Sequence, residues 1–220
     1  MAKRIRKKAR VYRKRTKAEH ASPEFRDRSE RKKAVLWRSY NLGKKLSKKR
    51  WQFISDIANG EWVYRLTGPN EARDELIERE SPKWDKMLTA FLKEATDPLE
   101  LHFFSCHWNY DRGVSPMLKI VKNEHCDAGT ALNLYWRFDP YSFQNHRTLA
   151  ECQNDEDRET FRILRTIERR FKRDDFATKR FPFDPTPWIE DDLAESAIHK
   201  IPAIMREPIV ARRRRVVQKK

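Results

Sequence analysis

The sequence predicts a mainly α fold: a single compact helical domain with basic N- and C-terminal tails expected to lack stable order. Three observations predict it. Apolar residues recur at spacings of three and four, Asp-Pro or Ser-Pro start signals precede several of those stripes, and period-2 strand alternation is almost absent. The 220 residues suffice for one domain of ordinary size plus tails. Five glycines argue against a Rossmann or P-loop fold, which concentrates several in one phosphate loop. No window approaches 18 uninterrupted apolar residues, so no membrane insertion is expected.

The first helical stretch is predicted over 34–58. Trp37, Tyr40, Trp51, Ile54 and Ala58 supply a stripe, and Gly43 is the place where it divides into two helices. Basic residues interleaved with aromatics also suit nucleic acid, but at helical spacing the stripe reads as core under a solvated face. Gly68-Pro69-Asn70 predicts a turn, with Asn70 capping a helix after it. Ser81-Pro82 predicts a new helix whose stripe is Trp84, Met87, Leu88, Phe91 and Leu92.

Asp97-Pro98-Leu99-Glu100 reads as a variant capping box, in which Asp97 accepts from the third backbone N–H and Glu100 reaches back. Leu99–Trp108 is apolar nearly all round, which predicts a central, buried helix. Ser115-Pro116 repeats the start signal ahead of Met117, Leu118, Ile120 and Val121. Asp127 is the N-cap of the next helix, which Asp139-Pro140 ends. A long helix over 156–173 buries Phe161, Ile163, Leu164, Ile167 and Phe171, with acids at its start and bases at its end complementing the dipole. Its Arg162, Arg165, Arg169 and Arg173 form a second stripe. Phe181–Pro187 is too rich in proline for a helix and should lie extended on the body, before a short helix near 188–199 and an extended 201–210.

Charge is distributed unevenly. Residues 1–50 carry 21 Lys and Arg against 4 Asp and Glu, and residues 211–220 carry 6 bases and no acid, so 51–210 is mildly acidic. Residues 1–33 are expected to be a tail without a core, because like charges at this density repel. The basic ends and the acidic helical middle are expected to be physically separate. Lys3, Arg4, Arg6, Lys7, Lys8, Arg10, Arg13, Lys14, Arg15, Lys44, Lys45, Lys48, Lys49, Arg50, Arg212, Arg213, Arg214 and Arg215 are the candidate nucleic-acid contacts, able to gain affinity by releasing counterions. No apolar stretch comes after the arm, so it does not read as a secretory signal. Three cysteines, an odd count, fit a reduced cytoplasmic setting.

The chemistry-bearing candidates are few. No cofactor is implied and no metal site is expected. The alternative is a zinc-stabilised domain in which His102, Cys106, His125 and Cys126 converge between antiparallel helices, at a spacing that matches no standard zinc motif. No enzyme is expected: a GxSxG elbow is absent, and Cys106 with His107 and Asp111 forms a nucleophile set only on paper, since adjacent helical residues point about 100° apart.

Leu101-His102, Asn109-Tyr110-Asp111-Arg112-Gly113, Cys126-Asp127-Ala128-Gly129-Thr130-Ala131-Leu132 and Tyr135-Trp136, in that order, resemble the bacterial domain of unknown function 4274. The resemblance covers about 98–185. Tyr110 stands where that family often has Trp, and Arg112 where it often has an acid. The resemblance implies a small helical domain without an established activity, in a family associated with immunity or accessory partners of bacterial toxin systems. The domain reading is then a basic tail over 1–33, a helical extension over 34–97, the family-like domain over 98–185, a C-terminal extension over 186–210 and a basic tail over 211–220. The function expected is a non-catalytic protein-interaction module whose partner binds at Trp108, Asn109, Tyr110, Asp111 and Arg112, with weak nucleic-acid binding through the tails as the alternative.

Overall fold

Asp97 opens the helix around which the rest packs. Its side chain accepts from the Leu99 amide and Pro98 occupies the first turn, where no N–H is needed. In this computed structural model, whose described residues are 23–60, 73–190 and 197–210, the α-helices are α1 (Pro23–Asn41), α2 (Lys48–Asn59), α3 (Arg73–Glu94), α4 (Pro98–His107), α5 (Ser115–Lys122), α6 (Ala128–Arg137) and α7 (Asp155–Arg173). Short 3-10 turns lie between α1 and α2, α4 and α5, and α6 and α7, and two isolated bridges, Asp127 to Thr178 and Phe183 to Ile209, are the only β-pairing among the described residues. The mainly α prediction holds.

Helix α4 is the hub. It packs against α1, α2, α5 and α6, and Leu101, His102, Phe103, Phe104, Ser105 and His107 are all buried. Burying each phenylalanine contributes roughly 1.5–3 kcal/mol. Helix α6 is equally enclosed: every residue from Ala128 to Trp136 is buried. Helix α7 closes the far side against α5 and α6 with Phe161, Ile163, Leu164, Ile167 and Phe171 inward, as its periodicity predicts. The segment after α7 lies extended, with Phe181, Phe183, Pro185 and Pro187 facing in and the residues between them facing out.

Several expectations need correction. Helix α1 starts at Pro23, so residues 23–33 are helical rather than tail. The chain does break at Gly43, in the 3-10 turn Leu42–Lys45, but the inward face of α1 is Val35 and Ser39; Trp37 and Tyr40 are 66% and 49% exposed. The separation of basic end from acidic body fails here. The Ser39 carbonyl meets the His102 ring at 3.2 Å, the Tyr40 ring stacks on His107 at 3.7 Å, and Gly43 abuts the Phe103 ring. Val35, Ser39 and Gly43 of the first fifty residues therefore help complete the core, because α4 is buried nearly all round and needs a cover on that side.

Ser81-Pro82 does not start a helix. α3 runs straight through Pro82. Proline's fixed φ is itself helical, and the lost hydrogen bond, a cost of about 3 kcal/mol, is offset by burial of Leu88, Phe91 and Leu92 and by the Trp84 indole donating to the Ile57 carbonyl at 3.0 Å. Glu100 does not reach back to cap α4; it pairs with Arg50 across the α2–α4 contact. Ser115 is the first helical residue of α5, and its cap, Val114, makes no side-chain bond. The 201–210 segment is interrupted by a 3-10 turn at Ala203–Arg206, and the Trp136 indole donates to the Met205 carbonyl there. The predicted helix over 188–199 does not appear at its described ends, where Trp188 closes a 3-10 turn and 197–199 are not helical. Its residues 191–196, the turn at Gly68-Pro69-Asn70, and the tails over 1–22 and 211–220 fall outside the described residues.

Candidate functional site

The family-like motif folds into a buried polar seam between α4 and α6. His102 lies on α4 and Thr130 on the facing turn of α6, and the ring Nδ1 is 2.8 Å from the Thr130 hydroxyl. The ring Nε2 faces the Ser39 carbonyl, which can only accept, so Nε2 carries the proton and Nδ1 accepts from Thr130. Cys106, one turn along α4, places its sulfur 3.7 Å from the same Nε2, and the Asn133 amide donates to that sulfur at 3.6 Å. His107 Nδ1 donates to the Phe103 carbonyl at 2.9 Å, and its Nε2 is buried without a partner among the described residues.

Burial sets the charge state of this seam. Desolvation drives His102 and His107 each down to about 4, and pushes Cys106 up to about 11. At neutral pH both imidazoles are neutral and the thiol is protonated, so the seam is a network of uncharged dipoles. The stability consequence has a definite sign. The unfolded chain holds each histidine near its usual 6.5 and the folded chain near 4, so the unfolded state binds more protons between those values. Stability is complete above about pH 6.5 and falls as pH drops toward about 4. A urea titration at about pH 7 and at about pH 4.5 should show the midpoint falling, and the drop should be smaller in a His102→Gln chain.

The other end of the seam is a joint. Asp127 is fully buried and caps α6 by accepting from the Gly129 amide at 2.7 Å. The same carboxylate accepts from the Thr178 hydroxyl, from the Arg180 amide at 2.7 Å and from the Phe181 amide at 3.3 Å. Gly129 lets that strap approach: a Cβ there would lie well under 3.0 Å from the Phe181 carbonyl oxygen. The cap is visible in the sequence; the strap it holds is not, because its partners are about fifty residues away.

The expected partner-binding residues divide. Trp108 is buried, stacks on Trp84 at 6.0 Å and donates to the Gly113 carbonyl. The Asn109 side chain accepts from the Asp111 amide, and the Tyr110 hydroxyl donates to the Ser105 carbonyl at 2.9 Å. These three fasten the connection. Only Asp111 and Arg112 face outward, the latter with its guanidinium 4.6 Å over the Trp84 ring.

The zinc alternative does not assemble. His102 and Cys106 are neighbours, but both His102 nitrogens are engaged. His125 is half-exposed beside Glu124, and the Cys126 thiol, driven up to about 12 by burial, turns to the Asp127 carbonyl. Among the described residues no three His, Cys, Asp or Glu side chains are grouped to hold a metal ion. The paper nucleophile set fails on geometry too: Cys106 meets His102, not His107.

The candidate nucleic-acid contacts also divide. Lys45, Lys48 and Lys49 are exposed at the corner where α1 turns into α2, and none has a carboxylate partner among the described residues. Arg50 is withdrawn from that set by its pair with Glu100, which raises its pKa further. Lys3 to Arg15, Arg212 to Arg215 and the Lys44 side chain lie outside the described residues. Trp37, read from the sequence as core, instead stands exposed just before this corner. A helical wheel alone cannot separate it from a core residue; the signal is that Val35 and Ser39 occupy the opposite face.

Residues 96–172 match the family model described as Domain of unknown function (DUF4274). No curated protein matches the chain, and no solved structure does. The matched segment holds α4 to α7 almost entirely and stops short of the strap at 178–181 that Asp127 secures.

Proposed function

We propose, for a chain with a segment of this domain family at its centre, a non-catalytic binding protein whose partner is nucleic acid, engaged at the α1–α2 corner. One observation carries the reading: Lys45, Lys48 and Lys49 stand exposed, free of carboxylates among the described residues, and the helix that leads into their corner carries the exposed aromatic Trp37. Lysines neutralise phosphates and release counterions, and an exposed indole offers a face on which a base can stack. The 17 net positive charges of residues 1–50 add long-range attraction to the same end of the chain.

A binding role rather than a catalytic one is supported by the seam. Its thiol is held protonated, and the hydroxyl that His102 meets, Thr130, is fully buried with it, away from any substrate. The immunity reading rests on the resemblance alone, and with Trp108, Asn109 and Tyr110 committed to the fold the 108–112 connection offers a partner little beyond Asp111 and Arg112.

The test is equilibrium binding of the full chain to labelled single-stranded RNA across a salt series. Changing Lys45, Lys48 and Lys49 together to Ala should lower the slope of log affinity against log salt by about 2, since each phosphate contact on a single strand contributes about 0.7. Trp37→Ala should weaken binding by about 1–3 kcal/mol. Unchanged affinity and slope in both variants would remove the reading.

A further inference from the structure

A second cationic surface lies away from the α1–α2 corner, where α3, α5 and α7 run side by side. Two shallow grooves meet there. One, of about 350 Å³, is lined by Lys122, Leu149, Phe161, Thr166 and the arginines Arg162, Arg165 and Arg169. The other, of about 340 Å³, is lined by Thr89, Leu92, Lys93, Lys119, Lys122 and Asn123. Lys122 belongs to both, so the two grooves adjoin on either side of it and together form a track. No carboxylate lines either groove.

Helical spacing explains the alignment. Lys119 and Lys122 are three apart on α5, and Arg162 and Arg169 are seven apart on α7, so each pair shares a face of its own helix. The inward stripes of α5 and α7 pack on each other and leave these faces turned outward, flanking the contact line. Lys93, Lys119, Lys122, Arg162 and Arg169 are all exposed and have no carboxylate within salt-bridge distance among the described residues. Arg165 differs: it is half-buried and paired with Glu168. Arg169 bends onto the Arg165 carbonyl and the Thr166 hydroxyl, which positions its guanidinium at the groove without neutralising it.

Five uncompensated cations in a row are unusual in a segment that is acidic overall. The helix dipole favours bases in a last turn, where Lys93 stands on α3 and Lys119 and Lys122 on α5, but it does not account for Arg162 in the first half of α7, nor for the convergence of all of them on one surface. The groove floor of Leu92, Leu149 and Phe161 is apolar, and low-dielectric walls lined by one sign of charge focus the field on the opening. Cations spaced along an elongated track, with no opposing acid and no enclosed pocket, suit evenly spaced phosphates better than a compact ligand.

We propose that this track is a second nucleic-acid contact: a strand bound at the α1–α2 corner, or a neighbouring stretch of it, lays its sugar–phosphate backbone along Lys93, Lys119, Lys122, Arg162 and Arg169. The proposal rests on the nucleic-acid reading above and adds a separate surface to it.

The test uses the full chain with labelled single-stranded RNA and, separately, duplex DNA, between about 50 and 200 mM salt. Lys122→Ala with Arg162→Ala should reduce the salt slope by about 1.4 on the single strand or about 1.8 on the duplex, and weaken binding across sequences alike. Lys86→Ala with Lys172→Ala removes the same net charge from exposed positions outside the track and should leave the slope within error. A thermal melt of each chain checks the fold; all four side chains are exposed. If the track variant and the charge-matched control behave alike on both ligands while the corner lysines still matter, the track is overturned and the corner reading stands. If the unmodified chain binds neither ligand, both fall.

Discussion

Replacing Asp127 with alanine is expected to destabilise the fold by about 3–5 kcal/mol. The carboxylate accepts four hydrogen bonds in a site sealed from water: from Gly129 at the start of α6, and from Thr178, Arg180 and Phe181 in the strap. Loss of the cap alone costs about 1 kcal/mol. The other donors then remain buried without acceptors, at about 1–3 kcal/mol each, unless the strap lifts away and hydrates them. Either outcome is large, and hydrogen exchange distinguishes them: a lifted strap exposes the Arg180 and Phe181 amides while α4 stays protected. Asp127→Asn separates charge from geometry. One amide oxygen can keep the Gly129 bond, but the NH2 group then faces a donor, so a loss of about 1–3 kcal/mol is expected. Urea denaturation of the three chains checks the order. A cost for Asp127→Ala near about 1 kcal/mol would mean that the residue is an ordinary helix cap and that the strap holds by other means.

How much the sequence reveals depends on how far each interaction reaches. Helix α7 is legible because its apolar stripe, its acidic start and its basic end are all local, and α4 is legible because an all-round apolar run has no alternative to burial. The α6 cap is legible for the same reason. Pro82 misleads because the rule that proline opens a helix is also local, whereas its tolerance within α3 depends on burial against α2 and α4. Glu100 misleads likewise: the capping-box pattern is present, and a guanidinium fifty residues earlier outcompetes it.

The sites show the same division. The Lys45, Lys48 and Lys49 cluster is contiguous and within reach of a charge count, but Arg50 beside them looks identical in sequence and is neutralised in the fold. The track along Lys93, Lys119, Lys122, Arg162 and Arg169 comes from three helices, so only the arginine half of it appears as a stripe. The histidine and cysteine pairs at 102, 106, 125 and 126 converge only if their helices pair antiparallel with those faces opposed; in the fold His102 turns to Thr130 and Ser39, and His125 turns to solvent. Thr130, the partner that decides what His102 does, stands within the motif without any local sign of its role.

Gly43→Ala tests the coupling between the basic end and the core. Gly43 is buried, and a Cβ at that position would lie well under 3.0 Å from three atoms of the Phe103 ring. That ring cannot rotate away freely. It is itself buried, with Trp51 at 5.7 Å and His107 at 3.8 Å between ring centroids. Overpacking of this kind costs about 1–3 kcal/mol, and the enclosure places the expected loss at about 2–3 kcal/mol. Two responses are available. The α4 side can shift, lowering the global unfolding midpoint. Alternatively the 42–45 turn can swing outward, taking α1 with it, which breaks the Ser39–His102 contact and the Tyr40–His107 stack while α4 to α7 remain folded. In that second case His102 gains access to water and its depressed pKa moves back toward 6.5, so a histidine titration tracked by NMR reads the detachment directly. Because Trp37 is carried by α1, Lys45 by the turn and Lys48 and Lys49 by the start of α2, their relative geometry changes with it, and RNA affinity should fall although no cation has been removed. If Gly43→Ala leaves stability, the His102 titration and binding unchanged, the first helices are an appendage to the body after all, and the docking of α1 onto α4 contributes nothing to the folded state.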